Sequence, residues 1–208
     1  MSQRRSLDFY KNSVVVVNME IIPTSITKFD RTGRELQVFA LFSIFVASKS
    51  SDFAANKVEA VLAQFPKGCL PFDGFRASKN ISDVLIKAKT GQYTRLSNAV
   101  HDIIALHDDV GLSNATFEQL MGVNGIGPKT AAFFIMHSRK DKRHAVLDTH
   151  ILKWIRTNGF PSAPKSTPSG SKYAKWENIF FDLAAKHFPS LSLSEVDLKL
   201  WTEMSGRA

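Results

Sequence analysis

One stretch constrains this chain more than any other. It is Leu120-Met121-Gly122-Val123-Asn124-Gly125-Ile126-Gly127-Pro128-Lys129-Thr130-Ala131-Ala132, with three glycines in six positions between two apolar segments that read as helices. Pro128 suits the first turn of a helix, where its missing N–H costs nothing. A turn of this kind leaves backbone N–H groups free at a helix start, which makes an anion site suited to a DNA phosphate. Lys129 stands just inside that helix, and nineteen positions further on comes Asp148 in Val146-Leu147-Asp148-Thr149-His150-Ile151. Together they point to amine chemistry on DNA.

The charge distribution agrees. Net charge is +8, and between Lys129 and Lys175 ten Lys/Arg face only two acids, Asp141 and Asp148. That stretch accounts for the whole excess, because the remaining 17 basic and 17 acidic residues cancel. An acidic polymer is the natural partner of such a field. A solvated basic face without a partner is the plainer alternative.

A chain of 208 residues, 44% hydrophobic and with 16 Phe, is long and apolar enough for one large domain or two small lobes. Its single cysteine, Cys69, excludes an intrachain disulfide and any all-cysteine zinc or iron–sulfur site within the chain, and favours an intracellular setting. The longest apolar candidate, Val38 to Ala47, falls short of the roughly 20 residues of a membrane span. The basic start at Arg4-Arg5 and the run Val14–Val17 end at Asn18 without a cleavage-type site, so no signal sequence is expected.

In chain order, Val14–Val17 reads as a short strand or buried extended segment. Periodicity predicts helices over 33–47, where apolar residues surround the wheel, and over 53–65, capped by Ser51 with Asp52. Residues 66–75 read as a loop. Further helices are expected over 82–90, 93–107, 116–121, 128–138, 149–157, 173–188 and 194–204, the last capped by Ser192 or Ser194. Pro161 to Gly170 is a Pro/Ser-rich surface loop or short hinge. The fold class is mostly α.

The Gly-rich turn followed by Val-Leu-Asp-Thr-His-Ile resembles the helix-hairpin-helix DNA glycosylases of base-excision repair, the family of endonuclease III. Within it, the chain is most similar to the compact second type of 8-oxoguanine DNA glycosylase/AP lyase. Gly91-Gln92-Tyr93-Thr94-Arg95 and the C-terminal Asp197-Leu198-Lys199-Leu200-Trp201, with Ser205-Gly206 after it, match segments of that group. The resemblance covers roughly residues 35 to 206 and is densest from Leu120 to Ile151. It implies one two-lobed helical domain over residues 1–208, with the active site in the cleft between lobes and the hairpin and catalytic segment at 116–158.

It also implies roles. Lys129 would be the nucleophile that attacks the sugar and forms a Schiff base, and Asp148 would activate it or stabilise the cationic sugar. An amine attacks only when neutral, so such a lysine needs burial or positive neighbours. Gly125, Gly127, Thr130 and His150 would hold DNA phosphates, and Trp201 with Asp197 would meet the everted base. The carbonyls of Met121, Val123 and Ile126 would hold a structural Na+ or K+. No cofactor is required, and the partner is double-stranded DNA with a damaged base, bound by a monomer in the cytoplasm or nucleoid.

The residues alone leave alternatives open. Lys129 by itself also reads as a phosphate contact, Asp148 as a helix cap, His150 as a packing residue, and Trp201 as a core aromatic like Trp154 and Trp176. His101, His107, His137, His144 and His187 show no metal-ligand spacing and are given no functional role. The second-type enzymes continue to a terminal lysine that helps recognise 8-oxoguanine, whereas Arg207-Ala208 stand last here. Two other readings are a non-catalytic hairpin protein that only binds DNA and a glycosylase-fold enzyme that modifies bases.

Overall fold

The computed structural model describes residues 20–140 and 142–205. The Val14–Val17 run lies outside them, as do Asp141 and Gly206. Among the described residues, ten α-helices follow a short 3-10 turn at Pro23–Ser25, and there is no strand. They are α1 (Gly33–Phe45), α2 (Ser51–Leu62), α3 (Pro71–Ala77), α4 (Ile81–Lys87) and α5 (Tyr93–Val110). Then come α6 (Phe117–Met121), α7 (Pro128–Ser138), α8 (Thr149–Thr157), α9 (Ser171–His187) and α10 (Leu193–Met204).

Helix α1 starts in a capping box. The Thr32 hydroxyl accepts the Glu35 N–H, and the Glu35 carboxylate accepts the Thr32 N–H at 2.8 Å. From Gln37 to Phe45 every residue is buried, as the apolar wheel predicts. Helix α2 begins earlier than expected, because Ser50, not Ser51 or Asp52, supplies the cap by accepting the Phe53 N–H.

One expectation fails outright. Residues 71–75, read as loop, belong to helix α3. Pro71 sits in its first turn, where proline is welcome, and Gly74 is there for space, not for a turn. A Cβ on Gly74 would lie 2.4 Å from the Phe65 ring, so only glycine lets the helix settle on that aromatic. Phe65 in turn meets Phe75 edge-on at 5.2 Å.

The buried hydrophobics form two clusters. One is built on α1 to α7, around Phe39, Phe42, Phe72 and Phe75. The other gathers Ala145, Leu147, α8, α9 and α10, with Trp154 and Trp176 in its core as expected. Helix α10, capped by Ser192, packs on α8 and α9 and also reaches α7. That crossing leaves a cleft between the two clusters.

Candidate active site

The hairpin between α6 and α7 is fixed from several sides. Thr116 and Gln119 cap α6 reciprocally, and the Ile126 N–H donates to the Val123 carbonyl at 3.0 Å. Val123 and Ile126 are buried, so the turn is pinned by its own apolar residues. The Asn124 amide and backbone N–H both donate to Asp102 on α5. Gly125 adopts φ +77°, a left-handed conformation that other residues seldom take. Arg95 Nη1 approaches its carbonyl at 3.4 Å while Nη2 donates to the Ile44 carbonyl, so this arginine braces the hairpin against the end of α1. No side chain caps α7, leaving the first-turn N–H groups of Lys129 and Thr130 without intrahelical partners.

Helix α7 carries Lys129 into a cleft of about 810 Å³. Thr130, Asp148, His150, Asp197 and Trp201 line the same cleft, so six of the residues singled out in the sequence meet in one place. Gly125, Gly127, Met121, Val123 and Ile126 do not line it; they form the hairpin beside it. The volume lies within the range of small-ligand sites.

Asp148 is held by geometry that spans the second cluster. The extended segment 145–147 before it is pinned from α9, where the Tyr173 hydroxyl donates to the Ala145 carbonyl and accepts the Leu147 N–H, and Glu177 accepts the Ala145 N–H at 2.9 Å. Thr167, from the Pro/Ser loop, donates to the Leu147 carbonyl at 2.8 Å. Asp148 Oδ1 then accepts the N–H groups of His150 and Ile151, both at 2.8 Å, and caps α8. Burial pushes its carboxyl above the ordinary carboxylate range, the Ile151 N–H opposes that, Asp197 adds to it, and His150 and Lys129 pull the other way. Lys129 takes part in none of the ion pairs among the described residues.

Two further cleft residues on α7 were missed in the sequence: Phe133 was not singled out, and His137 was given no functional role. Phe133 and His137 lie four and eight residues after Lys129, on the stripe of α7 that faces the opening. His137 is fully buried, and its Nε2 lies 3.1 Å from Asp197 Oδ2. Counting i, i+4, i+8 from Lys129 is the signal that finds both. The basic stretch also divides: Lys140, Lys142, Lys153, Lys165, Lys172 and Lys175 are exposed, whereas Arg139 and Arg156 are spent on backbone carbonyls.

A helix-hairpin-helix motif matches residues 110–132. The 8-oxoguanine DNA glycosylase/AP lyase of Methanocaldococcus jannaschii is 34% identical over 85 residues, which span 41% of this chain and 40% of that protein, so the match covers less than half of either. The crystal structure of the Methanocaldococcus jannaschii 8-oxoguanine glycosylase/lyase with a 15mer DNA containing 8-oxoguanine aligns with a TM-score of 0.65 at 23% identity, over 85% of this chain and 84% of that one. The 8-oxoguanine DNA glycosylase of Thermotoga maritima aligns at 0.61 and 21%, over 84% and 82%. The chain has the helix-hairpin-helix glycosylase fold. Lys129, in the first turn of the hairpin helix, and Asp148, at the start of α8, line the same cleft, and the lysine's charge acts on the carboxyl.

Proposed function

We propose that the chain is a base-excision DNA glycosylase with AP lyase activity that removes an oxidised purine, 8-oxoguanine first among candidates. The observation that carries this reading is the meeting of Lys129 with a partly buried Asp148 in a cleft large enough for an everted nucleoside. The relatives above, one of them bound to DNA containing 8-oxoguanine, support the same chemistry.

The damaged nucleotide leaves the duplex stack and enters the cleft, at a cost of a few kcal/mol that is smallest for a damaged pair. Lys129 Nζ forms a bond to C1′ as the bond from C1′ to the base nitrogen breaks, and the base departs with the bonding electrons and takes up, by way of Asp148, the proton that Nζ sheds. Asp148 accepts the proton shed by Nζ and offsets positive charge building on the sugar. Opening of the sugar ring gives a Schiff base. Loss of a C2′ proton then expels the 3′-phosphate and nicks the strand.

The hairpin N–H groups at Gly125, Gly127 and Thr130, together with His150 at the start of α8, would hold the flanking phosphates. Asp197 and Trp201 form the wall that the base would meet. The Met121, Val123 and Ile126 carbonyls would hold an alkali cation. The Val123 carbonyl spends one lone pair on the Ile126 N–H and keeps a second, which fits that use. The partner is double-stranded DNA inside the cell, bound by a monomer. Among the described residues no helix is long and apolar enough to cross a membrane.

The test is a panel of duplexes, each with one lesion, scored for strand cleavage. Wild type is expected to cleave an oxidised-purine duplex, and Asp148→Asn to bind it without releasing the base. If wild type binds every duplex and cleaves none, the hairpin serves DNA binding alone and the enzymatic reading fails.

A further inference from the structure

Segment 26–31 is folded tightly around one arginine. Arg31 donates to the carbonyls of Ile26, Lys28 and His137, and its guanidinium lies 3.9 Å from the centre of the Phe39 ring. The Lys28 N–H reaches the His137 carbonyl as well, at 3.1 Å. These bonds bind residues 26–28 to the last turn of α7 and set Thr27 Oγ1 2.7 Å from His137 Nδ1. The other ring nitrogen, Nε2, lies against Asp197 on α10. A carboxylate can only accept, so Nε2 carries the proton and donates it. With Thr27 against Nδ1 and Asp197 against Nε2, both ring nitrogens have a partner.

We infer that His137 is a positioning residue: through Asp197 it sets where α10, and Trp201 on it, stand against the hairpin helix that carries Lys129. The contacts run from Arg31 and Thr27 to His137 and on to Asp197, joining three segments far apart in sequence. His137 is 0% exposed and Asp197 6%, so the hydrogen bond between them lies almost wholly inside the protein. Phe133 packs against the imidazole with 4.9 Å between ring centres. Asp197 and Trp201 are one helical turn apart on α10 and both line the cleft, so a shift at the first moves the second. Asp197 also acts on the charge of Asp148, so two acidic side chains share the same cleft. The consequence for catalysis rests on the glycosylase reading above. The consequence for α10 does not.

Two side chains separate the ends of the imidazole. Glutamine places an amide N–H close to where Nε2 stands, and asparagine places one close to Nδ1. His137→Gln therefore keeps the bond to Asp197, and His137→Asn keeps only the side facing Thr27. The first readout needs no DNA: the indole N–H resonance of Trp201, assigned by its loss in Trp201→Phe. It is expected to shift in His137→Asn and Asp197→Asn and to stay near its wild-type position in His137→Gln. The second readout is single-turnover strand cleavage, which should slow by about tenfold or more in His137→Asn, with duplex affinity little changed, and recover in His137→Gln. If the Trp201 resonance is unmoved in His137→Asn, the positioning role is wrong, whatever the activity. If it shifts as expected while wild type cleaves no lesion duplex, the positioning role stands and the glycosylase reading falls.

Discussion

Asp148 performs two jobs with one carboxylate. It caps α8 through Oδ1, the plain structural role its place before Thr149 allows, and it lines the cleft with Lys129, whose charge acts on it. The two jobs separate by chemistry, because an asparagine caps a helix as well as an aspartate does and carries no charge. Burial raises the Asp148 carboxyl pKa in the folded state. The folded state is then favoured most with Asp148 protonated; that advantage is complete below the unfolded carboxyl value of about 3.9 and is lost as pH rises through the higher folded value. Asp148→Asn is therefore expected to melt at or above the wild-type temperature at neutral pH, with the gap closing below about pH 4. Thermal unfolding from pH 3 to 8 checks this, and a variant melting well below wild type at neutral pH would show that the charge itself holds the fold. Lys129 and Asp148 were legible in the sequence because each sits beside local punctuation, a Gly-Pro turn and a helix start. His137 was not, because its partners lie 110 residues before it and 60 after it, a distance no periodicity records.

Elements were legible where apolar spacing ran long and illegible where a glycine served packing. Helix α1 was readable because nine consecutive buried residues leave no other structure for them. Helix α3 was missed because Pro71, Asp73 and Gly74 are turn residues by composition, and the Phe65 ring that makes Gly74 necessary lies outside the segment. The hairpin glycines are different. Gly125 takes φ +77°, and an added Cβ would come within 3.1 Å of Arg95 Nη1, so Gly125→Ala should cost about 1–3 kcal/mol in urea unfolding and weaken binding to undamaged duplex. Unchanged stability and unchanged binding would mean that the turn tolerates a different backbone. The segment leading to Asp148 depends on Tyr173, whose burial pushes its hydroxyl pKa up and keeps it a neutral donor. Tyr173→Phe strips partners from the Ala145 carbonyl and the Leu147 N–H, with an expected loss of about 1–3 kcal/mol, measured by the same unfolding, and a slower reaction because Asp148 loses its support.

At the scale of the molecule, two hydrophobic clusters meet over a cleft, and the charge excess lies almost wholly downstream of the hairpin that borders it. The sequence showed that excess but not its division: the lysines beyond Lys129 stay exposed, while Arg139 and Arg156 hold the chain's own carbonyls. Nor could it show that α10 reaches across both clusters, since that depends on packing of whole helices and not on any local pattern. Lys129 and Asp148 both line that cleft, and the proposed function rests on their meeting there. The most direct measurement is borohydride reduction of the protein mixed with duplex DNA containing 8-oxoguanine or an abasic site. A covalent complex that forms with wild type, maps to Lys129, and disappears in Lys129→Ala is the predicted result. No complex with wild type, or an undiminished one with Lys129→Ala, would contradict the Schiff base at the centre of this account.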